Sequence, residues 1–115
     1  MSVPCIQPVV IRRKFASQQI AATGPADIEF DTIVEMQQKA CQLYANKPLF
    51  GTRVKNEYEW MKYSDFDSKV QLFRNVLSHH NIGKDDKVAL ISNNRVEWAV
   101  AMYAVAGMGG QLVPM

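Results

Sequence analysis

Several groups of residues are of types that could do chemistry. Gly107, Gly109 and Gly110 make a glycine-rich run, the kind that can wrap a phosphate in backbone N–H groups. A phosphate cradle needs a strand, then the glycines, then a helix N-terminus. Here the run follows a helical segment and leads into an apolar stretch, so its expected role is to end that helix. Asn93 and Asn94, with Arg95 beside them, stand at the other kind of place, after an apolar run and before a helical one. Backbone amides there could hold an anion. The plainer alternative is helix capping, with Arg95 and Glu97 meeting at the surface. His79 and His80 invite a metal or catalytic reading. Neighbours on a helix point about 100° apart and cannot easily share one ligand, and histidine suits a helix C-terminus. Asp65/Asp67 and Asp85/Asp86 are paired acids, expected in a helix cap and a polar turn. No catalytic, cofactor-binding or metal-binding residue is assigned from these groups.

The elements that must position them read as follows. Asp31 can cap a helix running to about residue 45, with Ile33, Met36, Ala40 and Tyr44 on its inward stripe and Glu35 and Lys39 paired on its surface. Residues 49–54 and 58–63 read as strands of a hairpin around the polar turn 55–57, and bulky groups on both faces predict packing on each side. Ser64 and Asp67 resemble a capping box opening a helix to about residue 80. Its core stripe is Phe66, Val70, Phe73 and Leu77, widened by Leu72 and Val76, and Gly83 is expected to turn left-handed just past its end. Residues 87–92 read as a strand covered on both faces. A helix follows over about 95–106, with Trp98, Met102 and Val105 on the sheet, and a second strand opens at Gln111. Trp60 and Trp98 are expected in the core. The fold class is therefore α/β: helix, β-hairpin, helix, then a parallel βαβ unit. Sheet edges and helix faces left open suggest part of a larger domain, interrupted at its second parallel strand.

Composition narrows the partners. The 115 residues are 48% hydrophobic and 21% charged, ordinary globular material with a net charge of +2. The first 26 residues carry Arg12, Arg13 and Lys14 and no acid, so the remainder is slightly acidic with its signs interspersed. Nucleic acid would need a basic stripe and is not expected. Cys5 and Cys41 are too few and too far apart for a disulfide framework and read as reduced thiols, with Cys41 buried on a helix. No segment is a transmembrane span, although peripheral membrane association stays open. Residues 1–26 form a basic leader, either a mitochondrial transit peptide or an ordinary disordered extension. Cytoplasm or the surface of the endoplasmic reticulum are the other destinations.

The chain from Tyr58 onward carries a resemblance. Tyr58–Glu59–Trp60 and Tyr63–Ser64 lead into an amphipathic helix. Gly83–Lys84–Asp85–Asp86–Lys87–Val88–Ala89–Leu90 follows, then Ser92–Asn93–Asn94–Arg95–Val96–Glu97–Trp98, the alanine-rich helix ending at Gly109–Gly110, and Val113–Pro114. This order, over residues 28–115, resembles the N-terminal part of the AMP-binding, adenylate-forming superfamily, and the Asn-Arg-x-Glu-Trp element is most similar to its long-chain fatty acyl-CoA synthetases.

The resemblance implies a complete protein that joins a fatty acid to ATP as an acyl-adenylate, releases pyrophosphate, and passes the acyl group to the thiol of coenzyme A. It also implies Mg²⁺, which neutralises charge on the phosphates. That chemistry needs a Ser/Thr/Gly-rich loop with a lysine for the triphosphate, a carboxylate for the ribose, an acid for the metal and a mobile lysine for the adenylate. The family places all of these beyond residue 115, so this chain alone is expected to be inactive. Two alternatives stay open: a small self-contained α/β binding or interaction module, and a superfamily member acting on an aryl or other carboxylic acid.

Overall fold

The computed structural model describes residues 29–115. The basic leader and Cys5 lie outside the described residues. The chain divides after Asp31, and the elements below all belong to the unit from Thr32 to Met115.

Helix α1 spans Ile33–Leu43. Its cap is Thr32, one residue later than expected, because the Thr32 hydroxyl accepts the Glu35 N–H at 3.1 Å. The Glu35–Lys39 surface pair forms at 2.7 Å. Gln37 and Cys41 are buried, Cys41 as expected; Met36, Ala40 and Tyr44 of the expected stripe are half-buried, and Ile33 is 47% exposed. The Gln37 amide finds partners inside.

Strands β1 (Pro48–Val54) and β2 (Glu57–Lys62) pair antiparallel around a turn in which Lys55 is left-handed at φ 57°. The register slips between Pro48 and Phe50, at the start of β1. Only one face of this ribbon is anchored: the Phe50 ring meets Phe66 at 5.3 Å, and Met61 is half-buried. The opposite face, with Tyr58 and Trp60, is exposed, so neither the packing expected on both sides nor a core Trp60 is found. Trp60 lies against Gly51 instead, directly across the ladder, where a Cβ would come within 3.0 Å of the indole. A bare glycine gives the ring a seat on the ribbon without burying it.

Helix α2 spans Tyr63–His79, and its cap is Lys62. The Asp65 carboxylate accepts the Lys62 N–H at 3.4 Å, which is the acidic half of a capping box; a lysine side chain has no acceptor to supply the other half. Ser64 and Asp67 therefore do not cap. Phe66, Val70 and Leu77 are buried as expected, and each stabilises the fold by about 1.5–3 kcal/mol. Leu72 and Val76 do not widen that stripe; they point outward, with Leu72 65% exposed. The helix ends on a left-handed Asn81 (φ 58°), with the Ile82 N–H reaching back to the Leu77 carbonyl at 3.0 Å. Asparagine takes the position expected of Gly83, since it too tolerates that conformation.

Strand β3 (Lys87–Leu90) and strand β4 (Gln111–Pro114) pair in parallel, joined by helix α3 (Val96–Gly107). The βαβ unit is thus present. Strand β3 stops two residues early, leaving Ile91 76% exposed, and only its Val88/Leu90 face is covered. Val100, Ala101, Ala104 and Val105 form the buried seam of α3, with Trp98 and Met102 half-buried beside it. Alanines on that seam let α3 approach α2 closely, and Tyr103 closes the contact edge-on to Phe66 at 5.9 Å. Among the described residues no helix is long and apolar enough to cross a membrane.

Candidate functional site

The place where this fold could hold a ligand is the carboxyl end of β3. There the chain leaves the parallel pair and enters α3, and the strand-to-helix crossing of an α/β unit exposes backbone amides. The β1–β2 hairpin closes the other side. Between them runs a groove of about 520 Å³ with Phe50, Met61 and Ala99 along it and Thr52, Arg53, Asn94 and Arg95 at its polar rim.

Asn94 lies at that rim with Asn93 exposed just before it, and neither caps α3. The cap is Arg95, in extended conformation (φ −137°, ψ 164°), with no side chain bonded to the first turn. Arg95 instead reaches Glu97 at 3.3 Å, the surface pair anticipated for it. Both side chains are about two-thirds exposed, and such a pair contributes at most about 1 kcal/mol. The groove therefore offers two guanidinium groups, one already partnered, over an apolar floor. It can bind an anionic or planar group. It carries no nucleophile beside a base and no facing carboxylates.

The glycine run is not a cradle. Gly109 is left-handed at φ 73° and the run ends α3, as expected. Its amides are already taken: Gly109 N–H donates to Ala106, Gly110 N–H to Val105 and Gln111 N–H to Asp86, at 3.1, 3.0 and 2.7 Å. The turn before β3 locks against it, because Asp85 N–H donates to the Gly109 carbonyl at 3.0 Å. Within that turn Asp86 accepts the Gly83 N–H at 2.8 Å, so the Asp85/Asp86 pair is structural.

The other candidates are likewise absorbed into the scaffold. His79 and His80 are exposed at the end of α2, their rings edge-to-face at 5.7 Å. Among the described residues no group of three or more His, Cys, Asp or Glu is placed to hold a metal. Asp65 caps α2, while Asp67 accepts from the Gln37 amide at 2.9 Å. The same amide donates to Cys41 Sγ at 3.3 Å. Burial pushes the Cys41 thiol above its ordinary range, the Gln37 hydrogen bond partly opposes this, and the Asp67 charge adds to it. A thiol so placed stays protonated and is a poor nucleophile. Two polar groups escaped the sequence reading. Gln37 is buried with its Oε1 unbonded, and Arg74 crosses from α2 to the Tyr103 carbonyl of α3 at 3.2 Å. The spacing of Gln37 four residues before Cys41 was the only hint of the first; nothing local marks the second.

Among the described residues the amides of the glycine run are bonded to the chain's own carbonyls, and no three His, Cys, Asp or Glu gather. What they share with other proteins is sequence and fold. The chain is 31% identical over 111 residues to the peroxisomal long chain acyl-CoA synthetase 7 of Arabidopsis thaliana, covering 92% of this chain and 16% of that one. It is 26% identical over 100 residues to fatty acyl-CoA synthetase B of Dictyostelium discoideum, covering 82% of this chain and 15% of the relative. Among solved structures, the fatty acyl-adenylate ligase from L. pneumophila, in complex with acyl adenylate and pyrophosphate, superposes with a TM-score of 0.65 at 20% identity, over 71% of this chain and 14% of that one. The chain therefore spans about one sixth of the length of the curated relatives it matches. Neither of these two relatives supports a mitochondrial destination for the leader; the Arabidopsis one is named as peroxisomal. The family model described as AMP-binding enzyme matches residues 37–115, most of the described fold, and the chain belongs to that family.

Proposed function

We propose that this chain is a segment of a fatty acid–CoA ligase that activates its substrate as an acyl-adenylate and transfers the acyl group to coenzyme A. The observation that carries the reading is the match to two fatty acyl-CoA synthetases through nearly the whole chain, with the Arabidopsis relative 31% identical. ATP, Mg²⁺ and coenzyme A belong to the complete enzyme in this reading. Among the described residues the glycine amides are engaged by the chain's own carbonyls, and no group of three His, Cys, Asp or Glu is placed to hold a metal. In this reading the segment contributes scaffold and the groove wall, not the reacting groups. The 115 residues alone are inactive in this reading.

A graft tests it. Residues 29–115 replace the matching stretch of the Arabidopsis relative, and acyl-CoA formation from a long-chain fatty acid, ATP and coenzyme A is followed by the loss of free coenzyme A thiol. The chimera is expected to retain fatty acid activation, and the isolated chain to release no pyrophosphate from ATP with fatty acid. A folded chimera that activates an aryl acid and no fatty acid would overturn the substrate class. Pyrophosphate release by the isolated chain would overturn its inactivity.

A further inference from the structure

We draw no further inference here: the strongest candidate, the apolar groove between α2 and α3 formed by Leu72, Phe73, Val76, Leu90, Val100 and Ala101, is an unpartnered face of a chain that spans about one sixth of the relatives it matches, and nothing in the structure shows what covers it.

Discussion

The contact between Arg74 and Gly107 can be tested by a reversal of sign. The guanidinium of Arg74 lies across the last residue of α3 and donates to the Tyr103 carbonyl, one turn earlier, at 3.2 Å. A Cβ on Gly107 would stand inside that guanidinium. Gly107 has no positive φ, so alanine suits its backbone and, with room, would stabilise by roughly 0.5–1 kcal/mol. There is no room, and Arg74 must swing away. It then gives up a charge-assisted bond with a net contribution of about 1.5–3 kcal/mol. The net expectation for Gly107→Ala is destabilisation of roughly 0.5–2.5 kcal/mol, the difference of those two ranges. In an Arg74→Met background the obstruction is gone, and the same substitution should stabilise by roughly 0.5 kcal/mol or more. Urea unfolding of the four proteins, followed by circular dichroism, gives the cycle directly, provided the slope m is common to all four. Stabilisation by Gly107→Ala in both backgrounds, or a coupling energy below about 0.5 kcal/mol, would refute the reasoning.

Two further predictions follow from the interior polar cluster. Because the Cys41 pKa is raised in the folded chain, the folded state holds its proton to higher pH than the unfolded one. Its contribution is complete below the ordinary thiol pKa and is lost as pH rises through the folded value, so stability should decline above about pH 8.5, and Cys41→Val should flatten that decline. Tyr103, raised chiefly by burial and also by the Cys41 charge, extends the same trend above its ordinary pKa, and urea midpoints from pH 7 to about 11 read both. In the second, Asp67→Ala leaves the buried Gln37 amide short of a partner and should cost about 1–3 kcal/mol, whereas Gln37→Met, which removes the unbonded Oε1 as well, should cost less in the same assay. Equal losses from the two variants would show that the bond, and not the stranded amide, sets the effect.

Wherever a local rule decided the outcome, the fold could be read from the sequence. The βαβ unit, the Phe66–Val70–Leu77 stripe and the glycine stop all depend on periodicity or on neighbours a few residues away. The errors lie where a side chain finds a distant partner. Gln37 lies inside because Asp67 on another helix accepts its amide, so the inward face of α1 is centred on Gln37 and Cys41 and Ile33 is left exposed. Leu72 and Val76 follow helical spacing but meet no covering element among the described residues, so spacing alone could not distinguish a broad core stripe from an open apolar face. Trp60 was assigned to the core by its size, when its position opposite Gly51 was the informative feature. The cap of α2 moved because an acid at the third helical position can take the cap residue's N–H whatever side chain that residue carries.

The same accounting separates what this segment can do from what its family does. A loop binds phosphate with amides that have nothing else to bond. For the run from Gly107 to Gly110 to do so, the bonds to Ala106, Val105 and Asp86 would have to open, each at a net cost of about 0.5–1.5 kcal/mol, and the turn before β3 would lose its anchor on the Gly109 carbonyl. A phosphate there would have to repay several such bonds before any affinity remained. The groove at the start of α3 has no such debt, because no side chain bonds the first turn and its rim holds Arg53, Asn94 and Arg95. If any part of this segment faces a ligand, the hydrogen bonds already made place it at that groove and not at the glycines. Glycine-rich composition alone would have pointed to the wrong end of the helix.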